Sequence, residues 1–208
     1  MAADPPPFPS NGRSEEAKAS ARVLARTRRA AASANVPDAA ERVRDRFIAE
    51  LLPRLRLTAA PVVSGYSPIR DELDPRPLMV ALADRGFRTA GPCVASVGSP
   101  LLFRLWDVKT PLALVGGIPE PPETAPAVEP DLLLVPLLAF DRSGHRLGYG
   151  RGFYDRTLEA LRARRRAIAV GLAFAGQEML SLPISDRDQR LDWIVTEEAV
   201  IHPKAETN

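Results

Sequence analysis

The segment that most constrains the fold runs from Asp131 to Arg156, DLLLVPLLAFDRSGHRLGYGRGFYDR. It opens with an uninterrupted apolar run, Leu132 to Val135, which is typical of a strand buried on both faces in a parallel sheet of an α/β protein. Closely spaced glycines follow, and the apolar spacing after Phe153 predicts a helix. A strand, a glycine-rich loop and a helix start predict a phosphate site, because backbone N–H groups and the positive helix end face an anion.

The common glycine motifs do not fit this loop. A P-loop needs a Gly-Lys pair, which the chain lacks, and a dinucleotide fingerprint needs glycine where Phe153 stands. The loop instead carries the cations Arg146 and Arg151 among its glycines, with Asp155 just behind them. Arginine pairs with phosphate oxygens, and a carboxylate can hold Mg²⁺. On the residues alone, a plain glycine-rich turn before a solvated helix is an equally good interpretation.

The remaining pattern alternates between helices and strands, which indicates a layered α/β sheet. Asp38 is expected to cap the second helix with its side chain. The other expected elements are a helix from Glu15 to Ala34, a strand from Val62 to Tyr66, a helix from Asp74-Pro75 to near Gly86, strands at Cys93 to Val97 and Leu101 to Trp106, a proline-rich connecting loop from Pro119 to Pro130, and strands at Ala167 to Phe174 and Trp193 to Thr196.

Composition excludes several classes of function. The net charge of +2 does not suggest nucleic-acid binding, and the basic run at 164–166 suits a helix end in solvent. The longest apolar run, Leu132 to Phe140, is far short of the roughly 20 residues that span a bilayer. Cys93 is the only cysteine, so an intramolecular disulfide is impossible, and a small buried side chain suits its apolar surroundings. We therefore expect no nucleic-acid partner and no membrane association.

The first residues, 1–13, are rich in proline and polar side chains and lack the apolar core of a signal peptide. They predict a disordered tail ahead of a single domain at 14–208, and the protein is expected in the cytoplasm. The helix after the tail carries a basic stripe, Lys18, Arg22, Arg26 and Arg29, on one face. Without further information a solvated face is the favoured interpretation of this stripe.

The string PLLAFDRSGHRLGYGRGFYDRTL resembles the signature of the 5-formyltetrahydrofolate cyclo-ligase family, the methenyltetrahydrofolate synthetases. Shorter matches follow the family's order, so that the resemblance runs from Lys18 to Thr196. They are Lys18-x-x-x-Arg22, Glu72-Leu73-Asp74 after Tyr66-Ser67-Pro68, Leu102-Phe103-Arg104 and Asp188-x-x-x-Asp192.

The resemblance implies a mostly parallel sheet flanked by helices, Rossmann-like and of the NagB/RpiA/CoA-transferase type. It also implies cyclisation of 5-formyltetrahydrofolate, with or without a polyglutamate tail, to 5,10-methenyltetrahydrofolate, with ATP as co-substrate and Mg²⁺ as cofactor. The reaction would pass through a phosphorylated formyl group, and we expect a monomer. A same-fold enzyme with another substrate, or a non-catalytic folate- or nucleotide-binding protein, stays open as an alternative.

The same resemblance implies the roles of individual residues. Arg146 and Tyr154 would be catalytic, Asp155 and Asp188 would hold the metal, and Ser67, Glu72, Tyr149 and Phe153 would bind the folate. The residues expected to bind ATP are Lys18, Arg22, Arg146, Leu147, Gly148, Tyr149, Gly150, Arg151, Gly152, Phe153 and Tyr154.

Each of the acids also has a plainer interpretation. Asp155 suits the first turn of a helix, Asp188 a solvated loop and Glu72 the flank of a helix. The chain departs from the family pattern at Arg187, where histidine is common, and at Arg151, where glycine or lysine is usual. Phe153 stands where tyrosine is usual, and His145 occupies a variable position and is not expected to act as a base.

Overall fold

The computed structural model describes residues 12–115 and 117–203. The helices in these ranges are α1 (Gly12–Asn35), α2 (Ala39–Arg46), α3 (Arg76–Ala83) and α4 (Phe153–Arg162), with short helical turns at Phe47–Leu51, Leu52–Arg54 and Ala175–Gln177. The strands are β1 (Val62–Ser64), β2 (Arg88–Cys93), β3 (Leu102–Leu105), β4 (Ala113–Val115), β5 (Ile118–Glu120), β6 (Ala127–Val128), β7 (Leu132–Val135), β8 (Ala139–Phe140), β9 (Arg146–Leu147), β10 (Ile168–Leu172), β11 (Trp193–Val195) and β12 (Val200–Ile201).

The main sheet has the strand order β12-β11-β10-β7-β1-β2-β3-β6. Its centre, from β11 to β2, is parallel, while β12 at one edge and β3 and β6 at the other are antiparallel. The expected mostly parallel sheet flanked by helices is therefore confirmed.

Strand β7 shows why its sequence carries no polar alternation. Leu132 and Leu134 pack with α2 and α3 on one face of the sheet, whereas Leu133 and Val135 pack with α4 on the other. All four side chains are fully buried, as expected for a central strand covered by helices on both faces.

Helix α1 lies over the end of the sheet at which the candidate site forms. Its buried Ala25 packs against Leu138 and Ala139 of the β8 segment and Leu147 of β9. Further along, the Ala32 methyl would come within 3.1 Å of a Cβ at Gly176, so that the helix approaches the Ala175–Gln177 turn closely. This packing holds the basic face of α1 against the segments that follow β7.

Several sequence expectations are wrong in detail. The strand expected at Cys93 to Val97 ends at Cys93, because the Val94 N–H donates to Glu120 Oε1 instead of a neighbouring strand. The proline-rich segment after Pro119 contributes to the edge strands β5 and β6, where proline is tolerated.

Other differences lie at helix ends and in short strands. Asp38 forms no side-chain cap. Its φ of −94° and ψ of 12° lie outside the extended region that a capping residue typically adopts. The β8–β9 hairpin and β12 were not expected, since pairs of residues are too short to show a strand pattern. Helix α1 begins at Gly12, and the rest of the expected disordered tail lies outside the described residues.

Candidate functional site

The candidate site lies at the carboxyl ends of β1 and β7, the usual place for ligands in an open α/β sheet. The chain leaving β7 forms the β8–β9 hairpin, and Asp141 shapes its turn. The Asp141 carboxylate accepts the backbone N–H groups of Ser143 and His145 at 3.0 and 3.1 Å and lies 3.0 Å from the His145 ring nitrogen Nδ1. His145 therefore has a structural partner, and the chain emerges from the hairpin into the glycine loop.

The glycine loop has the backbone that its composition predicts. Gly150 and Gly152 have φ of +99° and +63°, values that favour glycine over residues with a Cβ. Gly152 precedes the first turn of α4 without a side-chain cap. An anion at this end of α4 would meet backbone N–H groups and the positive end of the helix dipole.

Lys18 of α1 reaches across to the segment before β11. Its ammonium Nζ lies 2.6 Å from Asp188 Oδ2 and donates to Ser185 Oγ at 3.2 Å. The side chain of Lys18 is 8% exposed and that of Asp188 is 22% exposed. Lys18 is therefore not part of a solvated stripe, since its charge is directed inward onto a carboxylate.

Arg146 and Asp155 form a second ion pair beside the first. Arg146 Nη2 lies 2.6 Å from Asp155 Oδ1, and a second guanidinium nitrogen donates to the Gln189 carbonyl. The same Asp155 oxygen accepts the Gln189 N–H at 3.0 Å. Burial lowers the pKa of Arg146, and the Asp155 and Asp188 charges oppose that shift. The two carboxylates predicted to hold metal thus lie in one corner of the site. Each is paired with a basic side chain that is predicted to bind ATP.

This corner offers some, but not all, of the ligands that Mg²⁺ requires. Within the described residues no group of three or more His, Cys, Asp and Glu side chains could hold a metal ion. Mg²⁺, however, is commonly bound by one or two carboxylates together with substrate phosphates and water. Each carboxylate has more lone pairs than the contacts described above use. Asp155 and Asp188 therefore fit the cation only when a phosphate ligand is also present.

Arg22 lies one turn beyond Lys18 and contacts the loop itself. Its Nε donates to the Gly148 carbonyl at 3.1 Å. A Cβ built on Gly150 would lie 3.2 Å from the Arg22 guanidinium carbon, so that this residue closes one side of the loop. Arg26, the next member of the stripe, is exposed.

Glu72 lies in a tight turn after β1. Its Oε2 accepts the Ile69 N–H at 2.9 Å, and the Glu72 N–H donates to the Ile69 carbonyl at 3.3 Å. Between them Arg70 has a φ of +59°, an uncommon conformation for a residue with a Cβ. The side chain of Glu72 is 4% exposed, and burial raises the pKa of its carboxyl group. Glu72 is thus a desolvated acid whose side chain is fixed by a hydrogen bond, and not a surface acid.

Arg29 is a site residue that the sequence interpretation left in the basic stripe without a role. It is 1% exposed, and it meets Asp71, Glu72 and the Tyr149 hydroxyl. Its place two helical turns after Arg22 was the signal that it faces the same way. Asp71 was missed as well, and only its position beside Glu72 pointed to it.

The other predicted residues occupy different surroundings. Tyr154 is partly buried, and both burial and the nearby Glu72 charge raise the pKa of its phenol, whereas Arg146 lowers it. Leu147 packs its side chain into the cluster beneath α1, and its carbonyl accepts the Leu138 N–H at 2.7 Å.

The remaining four predicted positions are more open to solvent. Arg151 is exposed, Ser67 is partly exposed, and the ring of Phe153 lies 5.5 Å from the Arg156 guanidinium carbon. Tyr149, at 38% exposure, joins the glycine loop to the Glu72 turn through Arg29.

Comparisons with known proteins are consistent with this geometry. Residues 14–197 match the model of the 5-formyltetrahydrofolate cyclo-ligase family. A 5-formyltetrahydrofolate cyclo-ligase from Escherichia coli (strain K12) is 34% identical over 152 residues, which cover 67% of this chain and 82% of the relative. One from Mycolicibacterium smegmatis is 40% identical over 116 residues, or 52% of this chain, and the match spans only 60% of that relative's length.

A solved structure shows the same fold. The structure of Aquifex aeolicus 5,10-methenyltetrahydrofolate synthetase aligns with a TM-score of 0.67 at 26% identity, covering 94% of this chain and 95% of that one.

Proposed function

Because this chain belongs to the 5-formyltetrahydrofolate cyclo-ligase family, we propose that it closes 5-formyltetrahydrofolate into 5,10-methenyltetrahydrofolate with ATP and Mg²⁺, releasing ADP and phosphate. The observation that supports this most is the pairing of two buried cations with two carboxylates beside the glycine loop. Lys18 meets Asp188, and Arg146 meets Asp155, each at 2.6 Å.

The chemistry explains why such a site is needed. The formyl group on N5 is an amide, so its carbon is a poor electrophile and its oxygen a poor leaving group. In the proposed reaction the formyl oxygen attacks the γ-phosphorus of ATP, ADP leaves, and an iminium phosphate forms. N10 then adds to the formyl carbon and loses its proton, and the carbon–oxygen bond breaks as inorganic phosphate leaves.

The phosphate half of the site supports the first step. Lys18, Arg22 and Arg146 supply fixed positive charge, and the backbone of the glycine loop supplies N–H donors, which together would orient and neutralise the transferring phosphoryl group. Mg²⁺ held between Asp155, Asp188 and the phosphates would supply further neutralising charge. The present ion pairs keep the two buried cations in place before ATP arrives.

The folate half is proposed to lie around Glu72, with Ser67, Tyr149 and Phe153 as further contacts. A carboxylate can accept hydrogen bonds from the amino-pyrimidine edge of a pterin. Tyr154 is influenced by both Glu72 and Arg146, and its raised pKa keeps it a neutral phenol. It could therefore donate a hydrogen bond where the two substrates meet.

The direct test is to mix the purified protein with 5-formyltetrahydrofolate, ATP and Mg²⁺ and follow the near-ultraviolet absorption of the methenyl product. We expect that absorption to grow with time and to need all three components. Folded protein that forms no methenyl product at saturating substrates would overturn the proposal.

The same assay separates the alternatives. A same-fold enzyme with another substrate would consume ATP with a different acceptor, and a binding protein would retain folate or nucleotide without turnover. Among the described helices none is both long and apolar enough to cross a membrane. The monomeric state and the cytoplasmic location stay predictions, which sedimentation and cell fractionation would check.

A further inference from the structure

Arg29 is the largest of the fully buried side chains. Burying a guanidinium group is costly unless it is paired with charge and its donors find acceptors. Arg29 is not needed to orient the cationic side chains proposed to bind phosphate. Lys18, Arg22 and Arg146 each make hydrogen bonds of their own. The role of the buried Arg29 must therefore lie in the segments that it contacts.

Arg29 joins two segments that are far apart in sequence. Toward the turn after β1, its Nε and Nη2 bond to the two Asp71 oxygens at 3.1 and 3.0 Å, and its Nη1 lies 3.5 Å from Glu72 Oε1. Toward the glycine loop, its Nη2 donates to the Tyr149 hydroxyl at 2.7 Å, and its guanidinium carbon lies 5.5 Å from the centre of the tyrosine ring.

The strengths of these contacts differ. The paired bonds to Asp71 anchor the guanidinium, whereas the longer contact to Glu72 supplies charge without tying up that carboxylate. The Tyr149 hydroxyl also interacts with the Glu72 carboxylate. Even with this contact, the two carboxylate oxygens keep lone pairs for a ligand. Tyr149 belongs to the same loop as Gly148 and Gly150. Any movement of the loop would therefore change the contact between Tyr149 and Arg29.

We propose that Arg29 is a positioning residue that couples the binding of the two substrates, holding the Glu72 turn and the phosphate loop in one geometry through Tyr149. The inference rests on the proposed function, because it takes Glu72 as the folate contact and the loop as the ATP contact. Once one substrate fixes its own segment, the other finds its segment already ordered, and each should bind more tightly in the presence of the other.

The test measures this coupling as a ratio. The dissociation constant of 5-formyltetrahydrofolate is determined alone and with a saturating non-hydrolysable ATP analogue and Mg²⁺. In the unmodified protein we expect the analogue to tighten folate binding by about fivefold or more, the lower end of typical couplings between sites. Tyr149→Phe removes the hydroxyl and leaves the Arg29–Asp71 pair intact, so this variant should fold and its ratio should fall to near one.

Arg29→Lys is the second variant. A lysine keeps the charge but is a single point donor, so it cannot bond to Asp71 through two nitrogens and to Tyr149 at once. Its coupling ratio should also be near one. The dissociation constant of folate in the absence of the ATP analogue should change less than the ratio does. Arg26→Met, an exposed position on the same helix, is the matched control and should keep the full ratio.

Both variants are needed, because the Tyr149 hydroxyl also interacts with Glu72 directly. Arg29→Lys keeps that contact, whereas Tyr149→Phe keeps the Arg29–Asp71 pair. An unchanged ratio in either folded variant, or no coupling in the unmodified protein, would overturn the inference while methenyl formation continued. Absence of folate binding and of methenyl product in the unmodified protein would instead overturn the proposed function.

Discussion

Glu72 has surroundings unlike those of an ordinary surface acid. Its side chain is 4% exposed and contacts Arg29 and the Ile69 N–H. If it pairs with the pterin, Glu72→Ala should weaken folate binding about ten- to a hundredfold, since a hydrogen bond to a charged group contributes about 1.5–3 kcal/mol. Titrating each ligand separately should show ATP affinity nearly unchanged.

The control for this change is Glu123→Ala, which removes an exposed acid from the proline-rich segment and should affect neither ligand. Equal weakening of both ligands by Glu72→Ala would mean that Glu72 only supports the structure. No change in either would remove Glu72 from the site.

The same carboxylate predicts a pH dependence. Burial raises the pKa of Glu72, so it takes up a proton at a higher pH than an ordinary glutamate does. Folate binding that needs the ionised form should be present above this raised pKa and be lost as the pH falls through it. Folate dissociation constants measured from about pH 8 down to about pH 5 should therefore rise, and Glu72→Gln should abolish the protein's part of that trend.

Gly150 has both a positive φ and a close neighbour in the phosphate loop. Its φ is +99°, and a Cβ would lie 3.2 Å from the Arg22 guanidinium. Gly150→Val should weaken ATP binding by about tenfold or more, because a branched side chain resists this backbone conformation and displaces Arg22. Isothermal titration with an ATP analogue would measure it.

Gly86→Val is the matched control for Gly150→Val. Gly86 has a similar φ of +87° but no heavy atom within 4 Å of an added Cβ, so it imposes backbone strain without touching the site. Normal ATP binding in Gly150→Val, or the same loss in both variants, would remove the loop from phosphate binding.

At the scale of elements, the start of α4 is pinned by Asp155. This carboxylate accepts Arg146 from β9 and the Gln189 N–H from the segment before β11. Asp155→Asn keeps the size but removes the charge that Mg²⁺ and Arg146 require. We expect turnover to slow and to need more Mg²⁺, with folate binding little changed and a loss of about 1–2 kcal/mol in the free energy of unfolding, reduced by partial exposure.

Magnesium titration of turnover, together with urea unfolding, would check this prediction. Asp186→Asn, an exposed acid in the same segment as Asp188, serves as its control and should change neither quantity. An unchanged magnesium requirement in Asp155→Asn would leave that residue with a purely structural role.

Elements with strong local patterns were predictable and those set by pairing were not. The apolar run of β7 and the spacing of α4 identified both elements, because burial on two faces and on one face leave different patterns. The β8–β9 hairpin could not be read, since its strands are two residues long and its turn depends on the buried Asp141. The cap expected at Asp38 did not form because Asp38 does not adopt the extended backbone of a capping residue.

At the scale of the whole molecule, the fold brings together segments from the two halves of the chain. Resemblance to the family identified Lys18, Asp188 and the loop, which the structure places in one corner. It did not identify Arg29, whose importance depends on the long-range meeting of α1, the Glu72 turn and Tyr149. Local sequence patterns do not carry such contacts, and the helical spacing showed only which way Arg29 points.

The central claim, that one site joins ATP cleavage to folate cyclisation, is tested most directly by recording phosphate release and methenyl absorption in the same reaction. The account predicts one phosphate for each methenyl product and no ATP consumption beyond background without 5-formyltetrahydrofolate. Steady ATP hydrolysis without the folate, or methenyl formation without ATP, would contradict it.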